Sequence, residues 1–174
     1  MMTKTKLYAL DLRSFTATIE QLGAQLRANQ EKLDDIAHAK ETIASGMQGQ
    51  SAQAMIAKLD ALEQKINDHI TSIQETQAAI TTYRTNKQQL QREIIDYVDS
   101  VELDGFSVSN VWVILPSDTM LAALSPLYIG GKFIAAGIRQ QRLVALVETF
   151  VRYDLQAAVH SGSDVKPYTT SGGF

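Results

Sequence analysis

The sequence predicts a mainly α protein: a long antiparallel helical hairpin, coiled-coil-like, followed by a C-terminal helical module containing a short strand. Three observations lead there. Proline is absent before Pro116. Between Ala24 and Asp104 the only glycines are Gly46 and Gly49, so helix breakers gather at one place between two uninterrupted stretches. Through both stretches apolar residues recur at alternating steps of three and four, the spacing of coiled-coil packing.

The first walk runs Leu12, Phe15, Ile19, Leu22, Leu26, Asn29, Leu33, Ile36, Lys40, Ile43 and Met47, nine of eleven apolar. The second starts at Ala52, Met55, Leu59 and Leu62, passes Ile66, His69, Ile73 and Thr76, and ends at Val101, with twelve of fifteen apolar. Gln, Lys, Glu and Asp fill the intervening positions, as solvated helix faces require. The spacing therefore predicts helices over 11–45 and 50–101, reversed through Gly46–Gly49 and roughly 50 and 77 Å long at about 1.5 Å per residue. Polar Asn29 and Lys40 in the seam read as register markers, and His69 as a structural histidine within it. The second helix outlasts the first. Its outer turns near Tyr97 need a cover, either the C-terminal module or another chain.

From Phe106 the period changes. FSVSNVWVIL is β-branched and aromatic, which predicts a strand at 106–115, with KLYALDL near the N-terminus as its nearest partner. Pro116-Ser117-Asp118 reads as a turn and N-cap before a short apolar helix. Ser125-Pro126 opens a further helix, Gly130-Gly131 interrupts it, and 132–160 continues it through Leu143, Val147, Phe150, Val151 and Leu155. The domains follow as a hairpin at 8–101, an apolar strand-plus-helices module at 105–160 and a polar tail at 161–174. The run Met120–Ile138 has one charge, Lys132, and nearly the length of a membrane span. Pro126, its three glycines and a lack of basic flanks on one side favour a buried helical hairpin over membrane contact through 106–138.

Chemistry is hard to find. Cysteine is absent, which removes disulfides, thiolate metal sites and cysteine nucleophiles together. His38, His69 and His160 each stand alone, and no metalloprotease or nucleophile-elbow spacing appears. Gly130-Gly131-Lys132 lacks the first glycine and the hydroxyl residue of a phosphate loop. No catalytic, cofactor or metal residue is therefore assigned, and the reading is a binding protein rather than an enzyme. The formal charge of −3 offers no field for nucleic acid. MMTKTKLYALDL lacks the apolar core of a signal peptide.

The segment Met47-Gln48-Gly49-Gln50-Ser51-Ala52-Gln53-Ala54-Met55 resembles the turn of the WXG100/LXG superfamily, over a hairpin covering about residues 8–101. Met47 stands at the Trp/Leu place and Gly49 at the glycine, with Ala52, Ala54 and Met55 at the small and large positions behind. Gly49 would let the chain reverse, and Met47 would plug the end of the seam. The resemblance implies a helical hairpin tied to type VII (ESX) secretion. Such a protein pairs with another helical family member, in a hetero- or homo-oligomer, or with a toxin. It is exported without a cleaved signal peptide, or held in the cytoplasm in a pre-export complex. The family's export signal, Tyr-x-x-x-Asp/Glu, is not found after the second helix: the fourth residue after Tyr83 is Lys87, after Tyr97 Val101 and after Tyr153 Ala157. A partner would then supply it. The expected partner face is Met55, Leu59, Ile66 and Ile73. A generic coiled-coil scaffold and a membrane-active helical toxin component are the competing readings.

Overall fold

The computed structural model describes residues 1–160, with side chains through Asp154. The polar tail expected at 161–174 lies outside the described residues. The chain is mainly helical, with five helices and one small sheet among the described residues. In order these are α1 (Lys4–Tyr8), α2 (Arg13–Gly46), α3 (Gln50–Leu103), β1 (Phe106–Val108), β2 (Ile114–Pro116), α4 (Asp118–Ala123) and α5 (Pro126–His160). The chain divides into two compact units, one of residues 12–82 and one of residues 1–11 with the chain from Tyr83 on.

The first unit pairs α2 with the opening half of α3. Ile36 and Ile43 from α2 and Ala52, Ile66 and Ile73 from α3 are buried. The seam on α3 differs from the walk in one respect. Ala52, Leu59, Ile66, Ile73 and Ile80 face inward as expected, but the alternate positions are Ile56, Glu63, Ile70 and Gln77 rather than Met55, Leu62, His69 and Thr76. His69 is exposed. Apolar residues are equally frequent in both sets, so hydrophobicity cannot choose between them. Polar pairing does. Glu63 and Asp60 both accept from Lys40, the latter at 2.6 Å, and the Gln77 amide donates to the Ile19 carbonyl at 3.2 Å. Asn29 is buried and satisfies its amide on the Gln25 carbonyl at 2.9 Å.

The second unit holds a continuous core of Leu7, Ile94, Val98, Val101, Phe106, Val108, Trp112, Ile114, Ala136, Leu143, Val147 and Phe150. The end of α3 is thus covered by the chain's own module. The expected long strand is instead a hairpin, pairing Phe106 with Pro116 and Val108 with Ile114 antiparallel. Ser109-Asn110 starts the turn: Trp112 N–H donates to the Ser109 carbonyl, and Trp112 sits at φ +67°. Such a conformation in a bulky residue needs support. Trp112 is buried, and its indole N–H donates to the Met2 carbonyl at 2.7 Å.

KLYALDL is no strand partner. Only its Lys6–Tyr8 are helical, as the end of α1, which is capped by the Thr3 hydroxyl and tied to the turn by Asn110, whose carbonyl accepts from Lys4 N–H and whose side chain accepts from Thr5. Residues 9–12 are a second interruption of the helices before residue 100. Gly130-Gly131, expected to break the last helix, lies inside α5. One helical start at Pro126 and good helix formers beyond it outweigh two glycines that cost about 1 kcal/mol each.

Candidate functional site

Three places could serve as a site: the turn end of the first unit, a buried polar group in the second, and the outward face of α5. At the turn, Met47 leaves α2 in an extended conformation, its N–H bonded to the Ile43 carbonyl at 2.9 Å. Gly49 adopts φ +93°, a region that side-chain-bearing residues resist, and its carbonyl accepts the Gln53 N–H that opens α3. The expected role of Gly49 in reversing the chain therefore has a backbone basis. Met47 does not plug the seam. Its side chain is 42% exposed, and Ile43 and Ala52 close that end instead.

The expected partner residues separate into two groups. Ile66 and Ile73 are buried within the first unit, so they serve the intramolecular seam rather than an open face. Leu59 is half-buried and Met55 exposed. The large apolar residues of this unit that remain exposed are Met47, Met55 and Leu62. Met55 and Leu62 are seven residues apart on one side of α3. Thioether side chains suit such a surface because they adapt to different partners.

The polar group in the second unit lies between α3 and α5. Lys87 occupies the seam, 3% exposed, and donates to the Phe150 carbonyl and to Asp154 Oδ1, each at 2.8 Å. Its ammonium also sits 3.7 Å from the Phe150 ring centroid, a cation–π contact. Tyr83 donates its hydroxyl to the same Asp154 oxygen and stacks on Tyr153 with centroids 5.6 Å apart. Asn86 completes the group by donating to the Tyr153 hydroxyl at 2.7 Å. Burial raises the Tyr83 phenol well above its ordinary value, and the hydrogen bond to Asp154 and the nearby charge add to the rise. A lysine held by a carbonyl, a carboxylate and a ring is a satisfied structural cation. In the sequence Lys87 shows only as a polar residue in an apolar row.

The α5 face is the part that the sequence does not disclose. The run Met120–Ile138 is not a buried hairpin. It is split between α4 and α5, and Leu127, Tyr128, Phe133, Ile134 and Ile138 are exposed. Only Ala136 within it is fully buried. No helix among the described residues is long and apolar enough to cross a membrane. His38 is exposed like His69, and no group of three or more His, Asp or Glu side chains among the described residues could hold a metal ion. No family model, no curated protein and no solved structure matches the chain.

Proposed function

We propose that this protein is a helical binding protein of a type VII secretion assembly, pairing with a related helical protein or a toxin for export. The observation that carries the reading is the turn. Met47-Gln48-Gly49 lies between two long helices, and Gly49 holds a positive φ that makes glycine the fitting residue there. Exposed Met47, Met55 and Leu62 at that end give a partner helix an apolar landing surface outside the closed seam. With no Tyr-x-x-x-Asp/Glu signal of its own after α3, the chain relies on its partner for recognition by the export machine.

The test is co-expression with the helical proteins encoded beside it, followed by size-exclusion chromatography and assay of export. The complex should form with one such neighbour, and only the pair should leave type VII-competent cells. Met55→Asp with Leu62→Asp should abolish co-elution while leaving the helical signal intact, because both positions are exposed in the isolated chain. A chain that ignores every helical neighbour would sink the reading.

A further inference from the structure

The face of α5 turned away from the core repeats the coiled-coil spacing a second time. Steps of three and four from Leu127 reach Gly130, Ile134, Gly137, Gln141 and Val144, then Glu148 and Val151, and all of them are exposed. Leu127 is 92% and Ile134 68% exposed. A Cβ built on Gly130 or Gly137 would meet nothing within 4 Å, so no contact inside the chain requires these two glycines, which weaken a helix interior. Such glycines permit close approach of another backbone.

We propose that this face is a homodimer interface in which α5 packs antiparallel on α5 of a second copy, about a twofold axis level with Arg139. Self-complementarity argues for that occupant. In this register Leu127 meets Val151 and Ile134 meets Val144, apolar on apolar. Gly130 meets Glu148 and Gly137 meets Gln141, so each missing side chain faces a long one. Each Glu148 then lies over Gly130 of the other copy, with Arg152 of its own helix 3.6 Å away as its counter-ion. A parallel pair would stack glycine on glycine and like charge on like charge. The seam spans about 36 Å, ample for a two-helix interface. This inference is independent of the type VII reading, since the turn end belongs to the other unit.

Analytical ultracentrifugation of the full chain should give a concentration-dependent dimer. Ile134→Asp should weaken it roughly a hundredfold or more without changing the helical signal, because the position is exposed in the monomer. Cysteine is absent from the chain, so introduced thiols report without background. A mixture of Leu127→Cys and Val151→Cys chains should cross-link to each other on oxidation, while Ile134→Cys should not cross-link to itself. Self-linked Ile134→Cys would indicate a parallel pair and overturn the proposal. So would a chain that stays monomeric up to its solubility limit, or one that floats with anionic phosphatidylserine vesicles through Ile134 while remaining monomeric.

Discussion

The two halves of α3 carry one heptad phase and end up in different surroundings. Ala52, Leu59, Ile66, Ile73 and Ile80 continue into Lys87, Ile94 and Val101 without a change of step. In the first unit one helix faces this row, and Leu59 and Ile80 stay half-buried. In the second, α1, the strand hairpin and α5 surround it, and Ile94 and Val101 are each 1% exposed. Identical periodicity thus yields a seam in one place and a core in the other. The number of segments laid against a stripe, more than the stripe itself, decides how much area leaves water.

The largest expected effect follows from that difference. Phe150 is fully buried, and Phe150→Ala should cost roughly 3–5 kcal/mol through lost transfer and an unfilled cavity. Ile66→Ala, in the thinner seam, should cost about 2 kcal/mol, the lower end for its type. Urea unfolding followed by the helical signal measures both. Hydrogen exchange should place the slowest amides around 94–101 and 143–150 rather than in α2. Equal costs, or slowest exchange in α2, would break the distinction between seam and core.

Glycines sharpen it at the next level down. Gly49 and Gly105 hold φ +93° and +90°, and a Cβ on Gly105 would also lie 2.7 Å from the Met120 Cε. Gly49→Val should destabilise by roughly 1–3 kcal/mol, and Gly105→Ala by a similar amount if Met120 swings aside. Gly46 is helical with nothing within 4 Å of its would-be Cβ, so Gly46→Ala should instead stabilise by about 0.4–1 kcal/mol. Thermal melts of the three variants give the comparison directly. A neutral Gly49→Val would remove the backbone basis of the turn resemblance.

The buried polar group comes third. Lys87→Met removes a charge and keeps the volume, and should be close to neutral, because burying the ammonium had already offset most of its pairing gain. Asp154→Asn leaves the ammonium in place with a weaker partner and should cost about 1 kcal/mol, limited by the exposure of Asp154. If Lys87→Met proves the more damaging of the two in denaturant unfolding, Lys87 contributes more than a satisfied seam position does.

The long helices were legible because a step of 3.5 residues kept over dozens of positions fits packed helices and little else. The register within α3 was not, since Met55 and Leu62 on one side match Ile56 and Ile70 on the other. The choice fell to Lys40 finding Glu63 and Asp60 across the seam, a pairing that no single helix displays. The strand hairpin was hidden inside one β-like run because its turn depends on Trp112 at a positive φ, held by a carbonyl more than a hundred residues earlier in the chain. The chain reversal could be read from Gly46 and Gly49, but not the exposed position of Met47. The α5 face could not, because an apolar run looks the same whether the chain covers it or leaves it open.

The smallest effect expected is a pH dependence carried by Tyr83. Burial, the hydrogen bond to Asp154 and the charges of Asp154 and Tyr153 all favour the neutral phenol, so its folded pKa lies above the ordinary 10.0. Above pH 10 the unfolded chain releases this proton while the folded chain keeps it. The folded state then binds more protons, and stability falls as pH rises. The contribution is whole below the unfolded pKa and is lost as pH rises toward the folded one. Unfolding midpoints of wild type and Tyr83→Phe should therefore run parallel through neutral pH and converge above about pH 10. Groups common to both proteins cancel in the difference, which isolates the phenol. Asp154→Asn removes the hydrogen-bonded carboxylate and leaves burial, so it should move Tyr83 part of the way back in a phenolate absorbance titration. A Tyr83 that ionises near pH 10 in the folded wild type would show that the phenol is neither buried beside Tyr153 nor bonded to Asp154.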